Sequence, residues 1–151
     1  MNTQDLNKKI KERGYFEVIF EPNIYNQTLI CERKLDCKKI IENARIKLRG
    51  WDYPHVPYQT NEVQQIPYTF DKGVESWVNF GINKEVWRLY QSGQFVHRFA
   101  LIEDWLKEDG WFKREDIEPG KYLDAIGVIY RFTEVFEFLK RLLNNNPALS
   151  D

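Results

Sequence analysis

The chain has two histidines, His55 and His97, and several arginines set close to aromatic residues. These are its groups best suited to chemistry. Two imidazoles that reach one phosphate can cleave a phosphodiester without a metal. One takes the 2′-hydroxyl proton and the other protonates the leaving oxygen, while an arginine stabilises the charge that builds on phosphorus. Arg49, Arg88 and Arg98 each fall near a Trp or Tyr, and guanidinium groups beside aromatic faces also grip bases and phosphates without catalysis. Trp51, Asp52, Tyr53 and Trp87 complete the constellation. Each member has a plainer explanation as well. His97 fits a strand residue packed among aromatics, His55 fits a loop cap, and Trp87 with Arg98 fits a cross-strand pair. Catalysis therefore depends on convergence in space, and a binding role for Arg49, Trp51, Asp52, Tyr53, His55, Arg88 and Arg98 asks less of the fold.

Other chemistries find little footing. No phosphate loop, dinucleotide fingerprint, H-E-x-x-H or G-x-S-x-G segment occurs. Cys31 and Cys37 have five residues between them, no second pair follows, and two histidines cannot complete a zinc set. We expect two free, semi-buried thiols in a reducing compartment, no metal and no cofactor.

The elements that must position these residues are legible in outline. Thr3 to Arg13 is weakly periodic and stops at Gly14. YFEVIFE alternates, with Phe16, Val18 and Phe20 on one face, and Pro22 closes it. Asp36 reads as an N-cap for a helix through Cys37, Ile40, Ile41 and Ala44. RIKLRG alternates and reads as a short strand. It runs into the aromatic segment RGWDYPHVPY and the longer stretch GWDYPHVPYQTNEVQQIPY, whose three prolines exclude a helix and make a central strand unfavourable before Val63.

From Val74 three strands follow. The last two form a hairpin across a two-residue Ser92–Gly93 turn. That register sets Tyr90 opposite Phe95, Arg88 opposite His97 and Val86 opposite Phe99, and a slip of one residue would exchange the faces. IEDWLKEDG is a short helix stopped by Gly110. A final long helix carries Tyr122, Ile126, Ile129, Phe132, Phe136, Leu139 and Leu143 as its inward stripe, with Asp124, Arg131, Glu134 and Arg141 opposite.

The chain length of 151 residues suits a single domain, residues 1–151, with a core of its own. An apolar fraction of 42% with 15% aromatics argues against disorder. The net charge of -1 means that nucleic-acid contact would need a local basic patch. No apolar run is long enough for a membrane span, and MNTQDLNKKIKERG lacks the apolar core of a secretory signal, so a cytoplasmic location is expected.

Three segments in order, LRGWDYPH, EVWRLYQSGQFVHRFA and YRFTEVFEFLKRL, resemble an uncharacterised group of bacterial domains. In these, R-G-W-D-[YF]-P-H precedes a W-R-x-Y-Q-S-G-Q-F-x-H hairpin and a closing T-E-x-x-E-F helix. The likeness runs from about Ile46 to Leu143. It implies a bacterial, cytoplasmic domain and brings no chemistry with it.

The expected fold is α+β: a mainly antiparallel sheet of about five strands with the long C-terminal helix on one face. RGWDYPHVPY is expected to lie near the 87–98 hairpin as a rigid binding loop. The leading function is a non-catalytic binding or interaction domain, a sensor or adaptor, for an anionic ligand such as nucleic acid or a nucleotide, or for a protein partner. The alternatives are a small metal-independent nuclease using His55 and His97, and a structural subunit of a homo-oligomer.

Overall fold

A computed structural model describes residues 2–149 apart from 24, 32, 49 and 109–112. Two of the positions singled out above, Arg49 and the helix stop at Gly110, lie outside the described residues.

The chain is an α+β fold built on one antiparallel five-stranded sheet. Helix α1 (Thr3–Lys11) leads into strand β1 (Tyr15–Phe20), and helix α2 (Lys34–Ala44) follows. A meander of β2 (Gln64–Phe70), β3 (Gly73–Phe80), β4 (Asn83–Tyr90) and β5 (Phe95–Ala100) comes next. A short 3-10 helix (Ile102–Glu108) and the long helix α3 (Ala125–Asn145) complete the main elements. The sheet order is β1-β5-β4-β3-β2, so β1 returns to pair with the last strand, Phe16 opposite Phe99 and Val18 opposite His97.

Strand β2 was not expected. It replaces RIKLRG in the sheet, of which only an isolated Ile46–Tyr53 bridge forms. Pro67 is tolerated there because β2 is an edge strand, and the register shifts between Gln65 and Tyr68, where the proline sits.

The β4–β5 hairpin forms, but one residue out of the expected register. Tyr90 N–H donates to Gln94 O, which closes a three-residue turn of Gln91, Ser92 and Gly93, and Gly93 takes φ +86. Leu89 then pairs with Phe95, Trp87 with His97 and Glu85 with Phe99. A left-handed third residue in such a turn adds a bulge, and that one residue swaps the faces of the strand. His97 therefore shares a face with Glu85 and Trp87, while Arg88 and Arg98 turn to the other side.

Each face has its own cover. Leu6 and Ile10 of α1 pack with Trp77, Val86, Ala100 and Trp105 on one side. On the other, α2, α3 and the 46–56 loop pack over Trp87, Leu89, Phe95 and Phe99. The inward stripe of α3 is only partly the expected one. Phe132, Leu139 and Leu143 pack against the core with Val135, Phe138 and Leu142, Glu134 is buried instead of outward, and Tyr122, Ile126, Ile129 and Phe136 are exposed. Both sides of the helix carry apolar residues at steps of three and four, so periodicity alone leaves the rotation open. The observed rotation brings Phe138 against Phe95 and Phe132 against Phe16, at ring separations of 4.8 and 5.2 Å.

Two local expectations also change. Arg33, not Asp36, is the N-cap position of α2, and Asn2 caps α1. Cys31 and Cys37 are bonded, not free, with Cα atoms 6.1 Å apart. The first turn of α2 brings Cys37 back over the segment that holds Cys31, and the case for a reducing compartment drawn from free thiols loses its footing. Among the described residues no helix is long and apolar enough to cross a membrane.

A Cβ on Gly93 would stand 2.2 Å from Leu149 Cδ2, in a backbone conformation that L residues avoid. Gly93→Val should therefore lower stability by about 2 kcal/mol or more in denaturant titrations. An unchanged midpoint would show that the turn is assigned wrongly.

Candidate functional site

The aromatic loop packs onto the sheet, and most of its polar groups are held there. Ile46 and Tyr53 exchange backbone hydrogen bonds, and Arg45 pairs with Asp52 at 2.9 Å, so the 46–53 segment closes on itself. The Tyr53–Pro54 peptide is cis, and Tyr53, Pro54, Val56 and Pro57 are buried. The Trp51 indole N–H donates to Glu85 Oε1 at 2.7 Å, and the Trp87 indole N–H donates to the His55 carbonyl at 2.7 Å. These contacts join the loop to β4 from two sides.

Beneath the loop lies a buried chain of Tyr53, His97 and Glu85. His97 Nε2 lies 2.7 Å from Glu85 Oε2, and His97 Nδ1 lies 3.0 Å from the Tyr53 hydroxyl. None of the three is more than 2% exposed. Burial pushes the Glu85 carboxyl up, but the His97 contact, the nearby Arg131 charge and the Trp51 N–H outweigh it and hold it at about 2. Burial lowers His97 from its usual value, against the pull of Glu85 and helped by Arg131. Burial also raises Tyr53 well above the ordinary phenol value, reinforced by the Glu85 charge. One proton arrangement satisfies all three: the Tyr53 hydroxyl donates to Nδ1 of a neutral imidazole, whose Nε2–H donates to the Glu85 carboxylate.

His55 and His97 sit over the same sheet face but do not converge on open space. The His55 ring stacks on Trp51 with centroids 4.1 Å apart. Its Nδ1 is buried without a hydrogen-bond partner, and burial lowers its pKa. His97 has both nitrogens engaged and no exposed surface. It has no free nitrogen to offer a phosphate.

The arginines lie apart from this network. Arg88 pairs with Glu75 at 2.6 Å on the α1 side of the sheet, and Arg98 is held there by Glu17 and Asn7. The cavity between them is only about 70 Å³. Of the expected binding residues, the fold thus gathers Trp51, Asp52, Tyr53 and His55 on one side and leaves Arg88 and Arg98 on the other.

A roomier site than the one between Arg88 and Arg98 is one that the sequence did not single out. A cavity of about 380 Å³ opens between the β1–β5 edge, the 3-10 helix and the first turns of α3. Its walls are mainly apolar, with Phe16, Phe99, Leu101, Ile102, Leu106 and Val128. Glu103 and Asp124 also line it, but Glu103 accepts from the Asp124 backbone N–H and Asp124 from that of Ile126. Arg131 is its cation. Among the described residues no carboxylate pairs with Arg131, and its guanidinium lies over the Phe99 ring, 5.0 Å from the centroid. An arginine in an otherwise apolar stretch of helix was the available signal. The wrong helical rotation assigned it to solvent.

Comparison with protein-family models, curated proteins and solved structures finds no match to this chain.

The buried network sets a pH dependence. An unfolded chain takes up a proton on His97 near 6.5, while the folded chain resists it, so the unfolded state binds more protons below that pH. Stability should fall as pH drops through 6.5, by up to about 1.4 kcal/mol per pH unit for each such group, with His55 acting in the same direction. Glu85 adds a second loss between about 4.5 and 2, because its depressed carboxyl stabilises the fold only while ionised. His97→Gln should flatten the melting-temperature profile between pH 7 and 5. A variant profile as steep as the parent's would rule out a buried neutral His97.

Proposed function

We propose that the chain is a non-catalytic binding domain whose ligand is a small amphipathic anion. Its apolar body would fill the pocket beside α3, and its acid group would take the Arg131 guanidinium. The observation that carries this reading is Arg131 itself: a cation without an ion-pair partner among the described residues, at the wall of a mainly apolar cavity of about 380 Å³ whose two carboxylates, Glu103 and Asp124, are held by backbone N–H groups. Small-molecule sites commonly have that form and size, with a few fixed polar groups in an apolar lining. A guanidinium presents two parallel donors to a carboxylate, which makes it a selective partner for an acid.

Nucleic acid and nucleotides suit the surface less well. Arg88 and Arg98 are already paired with Glu75 and Glu17, and a net charge of -1 supplies no general attraction. A nuclease is disfavoured by the sealed environment of His97.

Calorimetric titration with octanoate and 4-phenylbutyrate, and with the matching amides and amines, tests this. The acids should bind at least tenfold more tightly than the amides. Arg131→Lys, which keeps the positive charge that Glu85 feels, should weaken that preference while circular dichroism stays unchanged, and Leu106→Trp should block every ligand by filling the cavity. No binding of the acids at millimolar concentration, or amines that bind as well as acids, would overturn the proposal.

A further inference from the structure

The outward side of α3 is apolar where a surface helix is normally polar. Ile126, Ile129, Tyr130 and Phe136 follow at helical spacing, and Tyr122 and Leu123 precede them in the connection to the helix. All six are between 55% and 68% exposed. The opposite side of the same turns holds Phe132 and Val135 against the core and Val128 at the wall of the cavity, so the first half of α3 is apolar nearly all round. Helices of that kind are normally covered on every side.

We infer that this stripe is the interface of a homodimer, in which α3 packs antiparallel against α3 of a second copy. Area is the first support. The six side chains present roughly 800 Å², more than the largest apolar patch of a typical monomer and about one partner's share of a standard interface. The pattern is the second. An antiparallel pair centred between Ile129 and Tyr130 sets Ile129 against Tyr130 and Ile126 against Thr133, so bulky residues meet and the smallest falls opposite a branched one. A two-fold interface requires this self-complementarity. Thr133 is the polar residue within the stripe, and its hydroxyl already donates to Ile129 O at 2.8 Å, so covering it strands no donor.

Charge is the third support. Glu137 and Lys140 border one end of the stripe, and Lys121 and Asp124 border the other. Each end thus carries one acid and one base, so packing end against end sets no net charge against like charge. With a net charge of only -1, two copies repel each other weakly. The pocket opens on the other side of α3, so this interface does not depend on what the pocket holds.

Sedimentation equilibrium and light scattering on the full chain at 1 to 100 µM test the inference. The parent should have twice the mass of the 18.2 kDa chain at the upper end of that range. Ile129→Glu and Phe136→Glu should each raise the dimer dissociation constant by a hundredfold or more, while circular dichroism stays that of the parent. Ile129→Cys should give a covalent dimer on mild oxidation, and Thr60→Cys, on an exposed loop, should not. A parent that remains monomeric at 100 µM overturns the inference, including the case where another part of the same chain covers the stripe. A dimer that survives both glutamate variants lies elsewhere and overturns it equally.

Discussion

A carboxylate buried on the core side of a sheet is the constraint that organises this molecule. Glu85 lies opposite Phe99, in a position where an isolated charge would cost several kcal/mol. It is tolerated because donors and positive charge reach it from distant parts of the chain. His97 comes from the neighbouring strand, the Trp51 N–H from a loop 34 residues upstream and the Arg131 charge from α3. Each must arrive in one orientation, so the carboxylate specifies how the loop, hairpin and final helix meet. Apolar packing alone would leave that geometry looser. Half-satisfied, the same network would favour opening the fold, because the stranded groups would regain water.

That constraint explains the crowding of RGWDYPHVPY. Trp51 donates to Glu85, Tyr53 reaches His97, and the His55 carbonyl accepts from Trp87. The cis Tyr53–Pro54 bond and the Ile46–Tyr53 bridge hold the chain in the path that these contacts require. Residue types that suggest a site in sequence serve here to seat a loop on a sheet. Acids, imidazoles and indoles suit buried polar networks for the reason they suit active sites: each offers directional donors or acceptors from a compact side chain.

Much of the fold was legible, and what was not has identifiable causes. The alternation in β1, the pairing of β4 with β5 and the long helix followed from periodicity. Strand β2 was masked by Pro67, which only an edge position accommodates. The hairpin register turned on one residue. Ser92–Gly93 fits a two-residue turn, but Gly93 is the left-handed third residue of a longer one, and the difference moved His97 to the core and Arg88 away from it. Trp51, Tyr53 and His97 stood out by type, but the carboxylate that gathers them had no sequence signal. The members of this network are separated by tens of residues, and Glu85 looks like any strand-end carboxylate until His97 is known to face it.

Helix α3 shows how core, pocket and outer surface share one element. Toward its C-terminal end, Phe138 and Leu142 are buried in the core, and the outer side carries Glu137, Lys140 and Asn144. Toward the N-terminal end, the inner side gives Gly127, Val128 and Arg131 to a cavity instead of a filled core, and the outer side remains apolar. Those first turns are thus held less firmly by intramolecular packing than the rest of the helix. The Asp124 cap and its backbone link to Glu103 fix only the start. A helix supported at its cap and its far end, with a cavity beneath and an uncovered stripe above, gains the most from any contact that fills either side.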